Sequence, residues 1–202
     1  MIIESHKKEL IFDYTHNINF IKSIDANYYV MMNDDLYVKE NWLNALIETT
    51  KQDEKIGIVG GLYFFPDGKV QHAGGMNRFI FNKFFNLTPK QAGPALYKQR
   101  DCPFIQGALQ LITKKCIDTI GWYDDQTFSL ICSDVEYCFR AWYNNFRVVY
   151  QPKCIAVHEE KLSRNRIDPS EEVLKLEHLF KTKYANIYSI VKKSQEEYDN
   201  VN

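Results

Sequence analysis

The chain has 202 residues, 45% of them hydrophobic and 25% charged, which is an ordinary composition for a soluble globular protein. Its formal net charge of −1 argues against a broad basic surface that would bind nucleic acids or acidic membranes. No stretch has the length of a membrane span, and residues 1–9 lack the apolar core of a secretion signal, so neither is predicted.

The first well-defined element is the apolar and aromatic run at residues 28–32, which stops at Asn33, Asp34 and Asp35. The run is too short for a helix and predicts a strand buried on both faces, as in a parallel sheet. Ligands of open α/β sheets bind at the carboxyl ends of the strands, so these three polar side chains are candidates to hold a hard cation and a phosphate. A simple turn is the alternative, because Asn and Asp are common turn formers.

Strand and helix patterns alternate over the rest of the chain. Residues 42–47 carry apolar side chains at helical spacing, and the strand-like run at 56–65 ends at the turn signal Pro66-Asp67-Gly68. Residues 76–100 have no clear period and are interpreted as a loop over a site. Further strands are predicted at 104–112, 146–150 and 155–158, and further helices at 114–120, 133–142 and from 170 onward.

This alternation predicts an α/β sheet followed by a helical C-terminal appendage. The sheet is assigned to a domain at residues 1–165. An amphipathic helical segment is assigned to residues 166–202, where apolar side chains recur among many charges.

Two more polar clusters stand at the ends of predicted elements. Ser133, Asp134 and Glu136 open a helix, and His158 ends the last predicted strand. A carboxylate in the first cluster could act as a general base on an acceptor hydroxyl, and an imidazole in the second could ligate Mn²⁺. Structural alternatives exist for both, since Ser133-x-x-Glu136 has the pattern of a capping box and a lone histidine is commonly a hydrogen-bonded structural residue.

The cysteines have a simple structural explanation. The five cysteines form no C-x-x-C pair, which favours reduced, buried thiols in a cytosolic protein over a disulfide framework. Cys154 and His158 lack the two further ligands that a zinc site needs.

Gly107-Ala108 lies at the centre of a predicted strand and leaves space where a ligand could approach the backbone.

In order and spacing, these motifs resemble the family-2 glycosyltransferases of the GT-A fold, especially bacterial rhamnosyltransferase-like members that act on surface polysaccharides. The resemblance covers roughly residues 12–165. The stretches that carry it are a D-x-D-type motif at Asn33-Asp34-Asp35 with Trp42-Leu43, the runs Ile56–Gly61 and Pro66-Asp67-Gly68, Gln71-His72-Ala73-Gly74, Gly121-Trp122-Tyr123-Asp124-Asp125, Ser133-Asp134-Val135-Glu136, and Val157-His158-Glu159-Glu160 with Ser163-Arg164. The implied fold is a mixed sheet flanked by helices.

The resemblance implies a metal and donor site at the first cluster. Asn33, Asp34 and Asp35 would take the metal and nucleotide-diphosphate role, with Asp35 as the direct ligand of a divalent cation, Mn²⁺ or Mg²⁺. Asn33 and His158 would be further metal ligands, and Asp34 and Asp35 would lie at the donor diphosphate.

The resemblance also implies an inverting transfer in which Asp134 is the catalytic base. Trp122, Asp124 and Asp125 would lie on the acceptor side, although two adjacent aspartates are also typical of a simple turn. The implied partners are a UDP- or dTDP-sugar donor and a glycan acceptor, with no nucleic acid. A cytoplasmic location at the inner face of the membrane, and a homo-oligomer or a partner subunit, belong to the same expectation.

Some positions depart from the family pattern. Ser133 replaces an acidic or amide residue and Trp122 replaces a glycine. Family members normally begin with two strands that hold the nucleotide base and ribose, and nothing before Asn27 resembles them, so an N-terminally truncated fold is expected. The alternative function is therefore a non-catalytic remnant or partner subunit that binds glycan or protein. A metal-dependent phosphohydrolase would need more clustered carboxylates.

Overall fold

The computed structural model describes residues 23–75, 85–124, 126–128, 132–159 and 170–187. Its strands are β1 (Tyr28–Met32), β2 (Leu36–Val38), β3 (Ile56–Phe64), β4 (Val70–His72), β5 (Arg100–Asp101), β6 (Leu109–Thr113) and β7 (Arg147–His158). Its helices are α1 (Trp42–Thr50), α2 (Pro89–Ala92), α3 (Lys114–Ile120), α4 (Ser133–Tyr143) and α5 (Ser170–Thr182), with a 3-10 helix at Pro94–Tyr97. The predicted α/β class is confirmed.

The strands of the described residues form one mixed sheet. Its main strand order is β1-β6-β3-β7-β2, with β4 paired to β3 and β5 paired to β7. β3 and β7 are parallel, and both β1 and β3 are antiparallel to β6. β1, β3 and β7 therefore run in the same direction, and their carboxyl ends share one edge of the sheet. That edge is where ligands of open α/β sheets bind.

β1 differs from the doubly buried parallel strand that its apolar run predicted. It pairs antiparallel with β6, and Tyr29 is its one buried residue. The strand is apolar on both faces because Tyr29 packs into one hydrophobic cluster while Tyr28 and Val30 pack against another. Its position at one end of the described strand order leaves both faces incompletely covered.

The two hydrophobic clusters lie on opposite faces of the sheet. α1 contributes Leu46 to one cluster, whereas α3, α4 and α5 contribute Ile117, Phe139 and Leu176 to the other. Burial of each such side chain contributes about 1.5–3 kcal/mol to stability. Residues 170–187 thus share the core of the sheet, while the domain division at residue 165 stays a prediction. Of the described helices, none is long and apolar enough to cross a membrane.

The last part of the sheet is one strand, where two were predicted. β7 continues through Pro152, and its register with β3 shifts next to Gly61. A Cβ atom on Gly61 would lie 2.7 Å from the Cys154 sulfur and closer still to the Cys154 carbonyl oxygen. An irregularity of this kind lets a strand accommodate proline, which has no N–H to donate. The proline therefore did not end the strand.

The Gly61→Ala variant is expected to lower the free energy of unfolding by about 3 kcal/mol, because the added methyl group meets backbone atoms that cannot move away. Gly68→Ala is the matched control. Gly68 has open space around its Cβ position and a φ of 82°, so only backbone strain of about 1–2 kcal/mol is expected. Urea unfolding of both variants measures the difference, and equal midpoints would contradict the close approach.

The predicted loop at 76–100 is only partly correct. Residues 76–84 lie outside the described residues, and 85–100 contain α2 and the 3-10 helix. α2 begins with a capping box, in which the Thr88 hydroxyl accepts from the Gln91 backbone N–H and the Gln91 side-chain oxygen accepts from the Thr88 backbone N–H. Two short helices of four residues each are too short for a periodic pattern to show in the sequence.

Candidate functional site

The turn Asn33–Asp35 connects β1 with β2, which stand at opposite ends of the main strand order. In a flat sheet, four strand spacings of about 4.8 Å would separate them by roughly 19 Å. The four residue steps from Met32 to Leu36 reach at most ~14 Å. The sheet therefore curls at this edge, and the curl brings the end of β1 towards the end of β7.

Backbone hydrogen bonds hold this turn at both ends. The Asn33 N–H donates to the Ala108 carbonyl at 3.0 Å, and the Glu159 N–H donates to the Asp35 carbonyl at 3.1 Å. Asp34 lies between them with an exposed side chain. The turn is thus fixed to the segment before β6 on one side and to the end of β7 on the other.

The three predicted metal ligands meet at this edge. The Asn33 Nδ2 atom lies 3.2 Å from His158 Nε2, and the same nitrogen lies 3.1 Å from Asp35 Oδ1. The His158 side chain is 3% exposed and the Asp35 side chain 16%. We call the side chains of Asn33, Asp35 and His158 the ligand corner.

The neighbours of His158 show which of its nitrogens faces the ligand corner. Nδ1 lies 2.8 Å from Gln71 Oε1, so a proton on Nδ1 would donate to that oxygen. In that tautomer Nε2 has a lone pair, which accepts from the Asn33 amide and also faces the Asp35 carboxylate oxygen. Two acceptor atoms at this distance repel each other unless a proton or a cation lies between them.

The chemistry of the corner fits a divalent cation. It offers one carboxylate, one imidazole nitrogen and one amide, whose oxygen would face the corner after rotation of the Asn33 side chain. This mixed oxygen and nitrogen donor set suits Mn²⁺. Within the described ranges, no group of three or more His, Cys, Asp or Glu side chains could hold a metal ion. Further oxygens, from water or from a bound ligand, would complete the coordination shell.

Asp134 is held in place by two backbone N–H groups. Its Oδ2 atom accepts from Gly107 at 2.7 Å, and its Oδ1 atom accepts from Val135 at 2.8 Å. It stands in the first turn of α4, where the helix dipole favours a negative charge. A carboxylate with two such bonds has a defined orientation.

The Asp134 side chain occupies the space that was predicted beside Gly107-Ala108. β6 begins only at Leu109, so Gly107 lies before the strand and not at its centre. A Cβ atom on Gly107 would lie 3.1 Å from the Asp134 Cβ. The glycine therefore lets the carboxylate approach the backbone, which corrects the expectation that the space would admit a ligand.

Consecutive residues of one segment connect Asp134 with the ligand corner. Gly107 donates to Asp134, and Ala108 accepts from Asn33. Because neighbouring Cα atoms are about 3.8 Å apart, the two anchoring points are close and move together. The tertiary structure thus gathers all three predicted polar clusters at one edge of the sheet.

The capping box predicted at Ser133 and Glu136 is wrong. The N-cap residue is Cys132, without a side-chain cap, and the Glu136 carboxylate pairs with Arg140 Nη2 at 2.9 Å. The Tyr184 hydroxyl donates to Glu136 at 2.7 Å. Both Glu136 and Tyr184 are buried, so a nearby cation and a hydroxyl donor satisfy this carboxylate better than the helix N-terminus.

The predicted acceptor-side turn is fastened to α4 by Arg140. Its Nη1 atom donates to the carbonyls of Ile120 and Trp122 at 2.9 and 3.0 Å. The Trp122 ring packs edge-on against Tyr29 of β1, with 5.2 Å between ring centroids. Trp122 is therefore placed beside the strand that leads into the ligand corner.

Of the two aspartates of the acceptor-side turn, the structure describes Asp124. The Asp124 side chain accepts from the Thr127 N–H at 3.0 Å. Burial favours its neutral form, but hydrogen bonds from Thr127 and the charge of Arg140 outweigh burial and lower the pKa of Asp124. Its carboxylate is thus engaged in the turn itself. Asp125 lies outside the described residues.

All five cysteines are free and buried. Burial raises the pKa of the Cys154 thiol to about 12, and it does the same for Cys116. These thiols are protonated at neutral pH and are poor metal ligands or nucleophiles. The predicted burial of the thiols is confirmed.

Gln71 and His72 lie in a stretch that carries the family resemblance, but no individual role was predicted for either residue. His72 is 3% exposed, stacks on Tyr63 with 5.1 Å between ring centroids, and accepts from the Gln106 N–H at 3.3 Å. Burial, with a smaller effect from the Arg100 charge, lowers the pKa of His72 to about 3. This neutral imidazole anchors the segment that also binds Asp134 and Asn33.

His72 makes stability pH-dependent in a defined direction. Its pKa falls from an ordinary value of 6.5 to about 3 on folding, so the unfolded chain binds the proton more tightly. The contribution is complete above pH ~6.5 and is lost as the pH falls towards ~3. Between pH 7 and 4.5 the free energy of unfolding should fall by roughly 2–3 kcal/mol from this group.

The comparison with His72→Gln isolates this effect, since an amide can accept from Gln106 but does not titrate in this range. Urea unfolding at several pH values should show a shallower acid loss for the variant than for the native chain. Identical slopes would contradict a neutral, buried imidazole.

No known protein-family profile matches the chain. It is 26% identical to Uncharacterized protein y4gI of Sinorhizobium fredii (strain NBRC 101917 / NGR234) over 151 residues, which are 70% of this chain and 16% of that protein. It is 28% identical to O-antigen biosynthesis protein RfbC of Myxococcus xanthus over 150 residues, 71% of this chain and 12% of that protein. The chain thus spans less than a fifth of the length of either relative.

Among solved structures, the chain is similar to the crystal structure of GalNAc-T7 with UDP, GalNAc and Mn²⁺. The TM-score is 0.62 at 16% sequence identity, and the match covers 91% of this chain and 40% of that chain. This likeness establishes the GT-A fold. Together with the similarity to RfbC, it supports the resemblance to family-2 glycosyltransferases that the sequence motifs indicate.

Proposed function

We propose that this chain carries the catalytic site of a metal-dependent, inverting glycosyltransferase. It would transfer a sugar from a UDP- or dTDP-sugar to a hydroxyl group of a glycan acceptor in surface polysaccharide synthesis. The observation that carries the proposal is the contact between Asn33, Asp35 and His158 at the sheet edge, with Asp134 anchored one residue away along the segment that holds Asn33. The GT-A fold and the similarity to an O-antigen biosynthesis protein support it.

The ligand corner would hold the cation through Asp35 Oδ1, His158 Nε2 and the Asn33 amide oxygen. When bound, Mn²⁺ or Mg²⁺ would neutralise the negative charge that develops on the departing nucleoside diphosphate. Asp34 is exposed on the same turn and would lie beside the donor diphosphate. Burial of His158 keeps its ring in one orientation, so this donor is in place before any ligand arrives.

Asp134 would act as the base. Its carboxylate takes the proton of the acceptor hydroxyl while that oxygen forms a bond to the anomeric carbon of the donor sugar. The bond between the anomeric carbon and the diphosphate oxygen breaks on the opposite face, so the configuration inverts. The bonds from Gly107 and Val135 aim the carboxylate, which lowers the entropic part of the barrier.

The acceptor would lie along the turn fastened by Arg140. Trp122 is partly exposed beside Tyr29 and would offer an apolar ring to a sugar face. Asp124 is engaged within the turn, so its contribution would be to shape this surface. The cytoplasmic location, the inner membrane face and any oligomer remain predictions from the sequence.

Calorimetric titration of the chain with UDP and dTDP, with Mn²⁺, with Mg²⁺ and with EDTA, tests the proposal. We expect nucleotide binding that requires a divalent cation, and slow cation-dependent hydrolysis of the matching sugar from a panel of nucleotide sugars. No nucleotide binding with either cation would contradict the proposal. Binding of glycan alone would then favour a non-catalytic chain that keeps the acceptor side.

A further inference from the structure

We infer that Gln71 is a positioning residue of the ligand corner, which selects the tautomer of His158. The inference rests on the proposed function and adds to it a residue outside the ligand set. By accepting from Nδ1, Gln71 keeps the proton away from Nε2, so that Nε2 can present its lone pair towards Asp35. A protonated Nε2 could not ligate a cation.

The bond between Gln71 and His158 is well placed to control the tautomer. Its length is 2.8 Å, and the two residues are only 4% and 2% exposed. Neutral imidazole in water prefers the proton on Nε2, so the opposite tautomer needs a local cause. In a buried pair water cannot replace the amide acceptor, and an Nδ1 without its bond would cost about 1–3 kcal/mol.

The sheet fixes the distance between the two side chains. At Tyr63, β3 pairs with His72 of β4 on one edge and with Ala156 of β7 on the other. Gln71 and His158 therefore extend from two strands that flank the same central strand. This rigid placement leaves the amide and the ring little freedom to separate, as expected for a residue that supports a metal ligand.

The amide of Gln71 carries no charge, so it acts on the ligand corner through hydrogen-bond geometry. It determines which His158 nitrogen is available and how the ring plane is turned. Asp35 remains the charged donor of the corner. Loss of such supporting residues typically costs about 10–100-fold in metal affinity. A purely structural glutamine would instead alter stability without altering affinity.

Three variants of the full chain separate these possibilities. Gln71→Leu removes the acceptor with little change in size, and Gln71→Glu keeps an acceptor at the same position. Val70→Ala is the matched control, because Val70 is fully buried on the same strand within a hydrophobic cluster. The readouts are the ¹⁵N chemical shifts of the His158 ring, taken about two pH units above the ordinary histidine pKa of ~6.5, and Mn²⁺ affinity from calorimetry.

We expect the native chain and Gln71→Glu to show a protonated Nδ1 and to bind Mn²⁺ comparably. Gln71→Leu should move the proton to Nε2 and weaken Mn²⁺ binding about 10–100-fold, whereas Val70→Ala should unfold earlier with unchanged affinity. A native ring protonated on Nε2 would overturn the inference, even if Gln71→Leu fails to fold. So would native Mn²⁺ binding that Gln71→Leu leaves intact. A native chain that binds no Mn²⁺ would instead overturn the proposed metal site together with the inference.

Discussion

Replacement of Asp134 by asparagine is expected to reduce the rate of sugar transfer by roughly 10³-fold, within the range attributed to general base catalysis. The amide cannot accept the hydroxyl proton. It can also accept only through its oxygen, so it loses one of the bonds from Gly107 and Val135. The measurement is kcat for transfer to the acceptor, with the nucleotide dissociation constant determined in parallel.

Asp118→Asn is the matched control for the Asp134 variant. Asp118 is an exposed carboxylate of α3 that pairs with Lys114, far from any proposed role in the reaction. Its variant should keep kcat and nucleotide affinity. Transfer by Asp134→Asn within threefold of the native rate would contradict the assigned base, provided that nucleotide binding is intact in both proteins.

Replacement of Asp35 by asparagine is expected to weaken Mn²⁺ binding by roughly 10²-fold or more. Loss of a residue that only hydrogen-bonds a metal ligand already weakens metal binding by about 10–100-fold, and a direct ligand should matter at least as much. Asparagine keeps the size of the side chain but removes the negative charge that faces His158 Nε2 at 3.1 Å. The remaining corner would offer only neutral donors. Calorimetry of Mn²⁺ binding, with and without UDP, gives the affinity directly.

Asp67→Asn controls for the general loss of one negative charge. Asp67 lies in an exposed turn and pairs with Lys69 at 3.1 Å, so its variant should bind Mn²⁺ as the native chain does. Equal affinities of the native chain and Asp35→Asn would remove Asp35 from the metal site. Loss of affinity in both variants would point to long-range charge rather than to ligation.

Local pattern was sufficient for most of the fold. Apolar periodicity located the helices near 42–50, 114–120 and 133–143 and the strand at 56–64, because each element buries one stripe or run of side chains whatever its neighbours are. The same pattern could not show that β1 pairs antiparallel at one end of the described sheet. Pairing partners are far apart in sequence, and an apolar run is compatible with several neighbours.

The sequence indicated some residues of the candidate site but not others. Residue type and position at the ends of elements indicated Asn33, Asp35, Asp134 and His158 as chemically relevant before any contact was known. A carboxylate or an imidazole at the end of a strand is a candidate ligand or base, although a turn or a structural hydrogen bond can also explain it. Gln71 carried no such signal, because an amide on a short strand is chemically neutral until its partner is identified.

By itself, the sequence determined the longer helices, the strand at 56–64 and several of the polar side chains that stand at the ends of elements. Only the tertiary structure decided that Glu136 forms an ion pair with Arg140 and does not cap the helix. It also decided that Gly107 lets the Asp134 carboxylate reach the backbone, and that Nε2 of His158 faces the ligand corner. The reason is physical: propensity and periodicity act over a few residues, whereas a buried polar atom is satisfied by whichever partner the packing of distant segments brings to it.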